Sequence, residues 1–146
     1  MKHVEEYMFR DLTSVNENSI IRRVINTMRL HRLCVVPVIN NLGEYIGCIN
    51  ELSILDVAIP MYMKSIYNTS FMADIDQITS NLHSILNEKA IKLVDKNYPW
   101  VSPTDSMSYA ADLLYRHKVN MLPVLEGKMV VGMISQIEIL SVSLDK

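Results

Sequence analysis

The sequence is poor in the residues that mark several protein classes. Cys34 and Cys48 are its only cysteines; they are too far apart for a Cys-x-x-Cys metal or redox pair and too few for a disulfide framework. They read as small buried apolar side chains of a reducing compartment, on neighbouring strands of one hairpin. No apolar run approaches the ~20 residues of a spanning helix, and the opening Met1-Lys2-His3-Val4-Glu5-Glu6 lacks the apolar core of a signal peptide. The expectation is a cytoplasmic chain with no membrane insertion. Neither sign of charge dominates, since 14 basic and 16 acidic residues give a net −2. Such a balance does not grip a polyanionic backbone, so nucleic acid is not an expected partner. Also missing are a nucleophile elbow, His-Glu-x-x-His, a phosphate loop and any Cys–His cluster of usable spacing. The chain is therefore not read as an enzyme, and no catalytic residue, metal ligand or required cofactor is expected.

What is present is globular in composition, 49% hydrophobic and 21% charged, enough for one compact domain or two half-domains sharing a core. The chain is written twice. Val15 aligns with Val101, His31 with His117, Pro37 with Pro123 and Val38 with Val124 at a single offset of 86 residues. Past the prolines the offset is 85, pairing Gly47 with Gly132 and Ile49 with Ile134, as the loss of one loop residue would do.

Each copy carries the same periodicities. Ile20, Ile21, Val24, Ile25 and Met28 lie on one face of a helix, and Met107, Ala110, Ala111 and Leu114 repeat the pattern. Strand-like runs follow, Leu33 to Ile39 and Met121 to Leu125, then the turns Asn40-Asn41-Leu42-Gly43 and Glu126-Gly127, then strands Tyr45 to Ile49 and Met129 to Ile134, each feeding a helix. The unit is strand, helix, strand, strand, helix. Pro37 and Pro123 fall inside strands, so those strands lie at an edge or use that position without a donor. Between the copies, Ile75, Ile78, Leu82, Ile85 and Leu86 form an amphipathic stripe, with Asp74 and Gln77 as a capping box. The Met-rich stretch Pro60-Met61-Tyr62-Met63 and Phe71-Met72 reads as core filling rather than an adaptable contact surface.

Met8-Phe9-Arg10-Asp11-Leu12, Pro37-Val38-Ile39 with Gly43 and Gly47, and Leu122-Pro123-Val124 with Gly132-Met133-Ile134-Ser135 together resemble the CBS domain, named for cystathionine β-synthase. The resemblance covers about Val4 to Asp56 and Ala90 to Leu140, two copies paired as in a Bateman module. It implies an α/β (α+β) fold of two β-α-β-β-α repeats related by a pseudo-twofold axis and packed through their sheets. Residues 1–58 form repeat one, 59–89 a helical insertion and 90–146 repeat two. It further implies two clefts that take an adenine nucleotide or adenosyl ligand (AMP, ADP, ATP or S-adenosylmethionine), a homodimer, and an effector protein whose identity the sequence does not encode.

The same resemblance points to site residues. In the family, Gly-x-x-Ser/Thr-x-x-Asp at a helix start sets a hydroxyl on phosphate and a carboxylate on the ribose diol. Repeat two has Ser135 and Glu138 at these positions; repeat one has Asn50 and Ser53, a degraded version. By the family pattern Ser135 and Glu138 are completed by Leu12, Leu33 and Cys34, and Asn50 by Tyr98, Val119 and Asn120. Ligand-free readings stand beside these, because Ser-x-x-Glu is itself a capping box and Asn a good N-cap. Where some relatives carry a basic side chain for phosphate, this chain has Val35 and Met121, which favours a monophosphate, an adenosine-like ligand or none. His31 and His117 are read as helix-end caps rather than metal ligands, and Trp100 as a packing anchor.

Overall fold

The computed structural model describes residues 1–59 and 75–145; the Met-rich stretch and Asp74 lie outside the described residues. Repeat one contains β1 (Val15–Asn16), α1 (Ile21–His31), β2 (Val35–Ile39), β3 (Tyr45–Asn50) and α2 (Glu51–Ala58). The inter-repeat helix α3 spans Ile75–His83, and repeat two follows with α4 (Met107–His117), β4 (Met121–Glu126), β5 (Met129–Ser135) and α5 (Gln136–Ser141). The first strand of repeat two is reduced to one parallel bridge, Val101 to Val124, matching the Val15 to Val38 pair of β1 and β2. The expected β-α-β-β-α order therefore holds, with very short leading strands.

α1 and α4 bury most of the anticipated stripe, Ile21, Val24 and Met28 on one and Met107, Ala110 and Leu114 on the other, with Ile25 and Ala111 half-buried; Ile20 is not on it but is the exposed N-cap of α1. Each ends in a left-handed residue, Arg32 at φ 53° and Lys118 at φ 54°. The hairpins β2–β3 and β4–β5 share a register, Val38 opposite Gly47 and Val124 opposite Gly132, with an irregularity one residue later in both.

The prolines are not on an edge in repeat one, where β2 is the middle strand of three. Cys48, opposite Pro37, directs its N–H and C=O away from β2 to Asp95. The Pro37–Cys48 pair thus makes no ladder bonds, and the missing N–H costs the hairpin nothing.

The two repeats are interlocked by their leading segments. Residues 2–9 dock on repeat two: Val4 N–H donates to Asp105 O, Met107 N–H to Lys2 O, and Phe9 exchanges both bonds with Met133. Residues 86–95 dock on repeat one in the same way, Ala90 N–H to Ser19 O, Ile21 N–H to Glu88 O, and Asp95 with Cys48. The matching offsets make this the pseudo-twofold axis. Two glycines permit the crossing. A Cβ on Gly47 would lie 2.4 Å from Asp95 O, and one on Gly132 would lie 2.8 Å from Phe9 O. The cores are correspondingly mixed, with Val4, Val35 and Cys48 of repeat one buried among Val101, Leu122, Val124 and Ile134 of repeat two.

The insertion departs from expectation at its end. α3 stops at His83, so Ile85 and Leu86 are not on its stripe but in the turns beyond it. α3 buries none of its residues. Leu86 is buried instead, and its carbonyl accepts from Arg22 N–H at the start of α1.

Candidate functional site

β3 and β5 each end where a helix begins, and the sequence candidates gather there. Asn50 is the N-cap of α2, its Oδ1 accepting from Leu52 N–H at 2.9 Å. Ser135 opens α5, and one Glu138 carboxylate oxygen accepts from both the Ser135 N–H at 2.7 Å and its hydroxyl at 2.8 Å. Glu138 is thus turned back onto its own helix start, the arrangement that needs no ligand.

The first N–H of each helix reaches the loop before the repeat's own middle strand. Glu51 N–H donates to Cys34 O at 2.9 Å and Gln136 N–H to Asn120 O at 3.2 Å. Asn50 thereby neighbours Leu33 and Cys34, and Ser135 neighbours Asn120. Leu33 is buried in the repeat-one core, whereas Leu12 is 60% exposed beside Asp11 and Thr13, whose side chains bond to each other. Leu33 and Cys34, with Arg29, Arg32, Glu51 and Leu55, line a cavity of about 630 Å³ between α1 and α2.

Tyr98 occupies the junction between repeats. It is 4% exposed, and its hydroxyl donates to Met121 O at 2.7 Å. The cluster around it joins Val119 and Met121 of repeat two to Cys34, Val35, Tyr45 and Cys48 of repeat one. This core brings together Tyr98, Val119 and Cys34 from the sequence candidates. Burial raises the pKa of four groups here, Cys34, Cys48, Tyr45 and Tyr98. Cys48 is pushed up to about 12, with the Tyr45 hydroxyl 3.5 Å from its sulfur only partly offsetting that effect. Tyr98 and Tyr45 are raised above the ordinary phenol value, first by burial and then by neighbouring Cys48. Cys34 is raised by burial and by the negative charge of Glu51. Both thiols are free, and both are held neutral at neutral pH, unlike an activated nucleophile.

On its other side Tyr98 borders a second cavity of about 630 Å³, shared with Lys96, Asn97, Trp100, Tyr109 and His117. This lies within the ~300–1,000 Å³ typical of small-molecule pockets. Trp100 is 49% exposed at its wall. It is half-exposed, packed against the protein on one side and bordering the cavity with the rest of its surface. Sequence reasoning missed Lys96 and Tyr109, which are unremarkable in one dimension and meet only because α4 folds back beside the 96–100 loop. His117 ends α4 as expected, and its repeat-one counterpart His31 places Nδ1 3.3 Å from Thr13 Oγ1. Among the described residues no group of three or more His, Cys, Asp or Glu side chains is placed to hold a metal ion, and no helix is long and apolar enough to cross a membrane.

Comparison with known proteins bears on this arrangement. The sequence pattern of the CBS domain matches residues 4–59 and 89–145. The CBS domain of a membrane protein from Sphaerobacter thermophilus superposes with a TM-score of 0.72 at 20% identity, over 97% of this chain and 87% of that one. CBSX2, solved in complex with AMP, gives 0.74 at 14% identity over 99% and 97%. A CBS domain pair/ACT domain protein from Thermotoga maritima gives 0.68 at 19% identity over 99% and 98%. No curated protein sequence matches the chain.

Proposed function

Because the chain belongs to the CBS-domain family and carries the domain twice, we propose that it is a non-catalytic regulatory module that binds an adenine nucleotide or adenosyl ligand and thereby modulates a partner protein. The observation that carries this reading is the junction at Tyr98. There the exchanged leading segment of repeat two meets repeat one, beside a cavity of about 630 Å³ whose wall holds the half-exposed Trp100 and Lys96 together with the Asp105 carboxylate. An aromatic face suits a base, and a cation suits a phosphate. CBSX2, which shares the fold, was solved with AMP. A ligand seated beside this junction would bias the packing of the two repeats by its difference in affinity for the two arrangements. The proposal places the module in the cytoplasm, as a homodimer.

A second reading has its own support. Glu138 is occupied by Ser135, and Asn50 stands at the hydroxyl position of repeat one, so decayed clefts would leave a ligand-independent dimerisation or interaction module. A thermal-shift panel of AMP, ADP, ATP and S-adenosylmethionine separates the two. A ligand at ~100 times its Kd adds about 2.7 kcal/mol of stability, whereas flat melting curves across the panel favour the second reading. If AMP raises the melt, Lys96→Ala or Trp100→Ala, in the lining of the Tyr98 cavity, reduces the rise while Ser53→Ala keeps it, each measured against its own ligand-free melt. The reverse pattern would assign the ligand to the repeat-one end.

A further inference from the structure

The near-neutral total charge conceals a segregation. From Asn18 to Gly43 the chain holds Arg22, Arg23, Arg29 and Arg32 and no carboxylate, so this stretch carries +4 and the remainder −6. All four arginines are exposed on α1 or just beyond its end. Among the described residues none of them is in an ion pair, and Arg29 donates only to the neutral amide of Asn26 at 2.8 Å. The equivalent residues on and after α4 are Ser108, Tyr109, Tyr115 and Lys118. The basic face is therefore peculiar to repeat one, not a requirement of the shared fold.

The surface between these guanidinium groups is hollow. A cavity of about 530 Å³ lies between Arg22, Arg23 and Arg29, with Ile20, Ile25 and Leu86 on its walls. Ile25 and Arg29 also line the cavity between α1 and α2, which runs on to Arg32 with Met28 and Leu55. The two hollows flank Arg29 and together follow the 11 residues of α1, a length of about 16 Å. Among the described residues Glu51 is the single carboxylate lining either of them.

We propose that this face docks an acidic amphipathic helix of a partner protein, its carboxylates on the four arginines and its apolar side chains in the two hollows. Guanidinium groups bind carboxylates through paired hydrogen bonds, and an apolar helix stripe fills a groove at i, i+3, i+4 and i+7. A flat anionic bilayer would reach the arginines but leave the hollows unfilled. The chain's own residues 60–74 supply one lysine and one aspartate, without the negative charge required. The surface shares no residue with the Tyr98 cavity; Leu33 and Cys34, at one end of the cavity between α1 and α2, are the residues it shares with the cleft the family pattern implies.

The test uses the nucleotide-free full chain and a fluorescein-labelled model peptide of about three helical turns, leucines on one face and glutamates on the other, read by fluorescence anisotropy. The expected result is saturable binding that weakens with added salt and falls at least about tenfold in Arg22→Glu/Arg29→Glu, with Lys118→Glu unchanged. Arg23→Glu/Arg32→Glu is an independent second pair should the first alter the thermal transition. The proposal is overturned by absent binding, by a scrambled peptide of equal composition binding equally well, or by indifference to both reversals. Arginine-dependent retention on phosphatidylglycerol vesicles without peptide binding would assign the face to a membrane, and an arginine-dependent doubling of mass would assign it to a second copy; either outcome overturns it.

Discussion

Replacing Gly47 with alanine strains the crossing of the repeats at its tightest point. The new Cβ would stand 2.4 Å from the Asp95 carbonyl oxygen and 2.6 Å from Val94 Cγ1, at a φ of +156°. The obstacle is backbone, and it is fixed by two hydrogen bonds, Cys48 N–H to Asp95 O at 3.2 Å and Asp95 N–H to Cys48 O at 2.9 Å. Relief requires the crossing to open. Losing both bonds costs about 1 kcal/mol each, and holding a non-glycine residue at that φ adds about 1–3 kcal/mol. The sum of about 3–5 kcal/mol is a large part of the ~5–15 kcal/mol that holds an ordinary domain together. At about 2–4 °C per kcal/mol for a chain of this size, Tm falls by roughly 10 °C. Two other glycines calibrate the result. Gly132→Ala meets Phe9 O at 2.8 Å and the more yielding Met8 Sδ at 3.0 Å, without the positive φ, and loses about 2 kcal/mol. Gly127→Ala meets nothing within 4 Å and bears only the strain of φ +63°, about 1 kcal/mol. Urea unfolding followed by circular dichroism ranks the three. A Gly47→Ala loss no larger than that of Gly127→Ala would refute the interlocked architecture.

Three further outcomes follow from the site. Asn50→Ala removes the cap on α2 and lowers stability by about 1 kcal/mol, while Asn50→Asp, which keeps the acceptor, stays near wild type in the same urea titration. Tyr98→Phe strips the donor from Met121 O and costs about 1–2 kcal/mol; an unchanged unfolding midpoint would show that this bond contributes nothing. Cys48 ionises near its ordinary value of 9.0 when unfolded but only at about 12 when folded. Between those values the native state keeps a proton that the unfolded state has lost, so this contribution is intact below pH 9.0 and declines as pH rises toward 12, by about 1.4 kcal/mol per pH unit. Alkaline urea titrations of wild type and Cys48→Ala should therefore converge as pH rises, and parallel curves would count against the buried neutral thiol.

Much of the fold was legible because its signals are local and duplicated. The stripes of α1 and α4, the glycine turns at Gly43 and Gly127, and the N-cap at Asn50 all depend on side chains a few residues apart, which is the range over which periodicity and capping act. The shared offset of Pro37 with Pro123 and Gly47 with Gly132 extended that local reading to the whole chain. The site was legible only in pieces. Ser135 with Glu138 was recognisable as a pair at a helix start, but nothing in their spacing determines whether the carboxylate faces a ligand or, as the structure has it, its own N-terminus.

By itself the sequence determined which segments are helix or strand and that the unit occurs twice, since both follow from patterns carried within each copy. The tertiary structure alone decided that the leading segments change places. α1 has no capping side chain at Ile20 and takes the carbonyls of Leu86 and Glu88 for its first two N–H groups. Backbone partners of that kind carry no side-chain signature, so the crossing at Gly47, the gathering around Tyr98 and the hollows beside Arg29 exist only once the chain has folded.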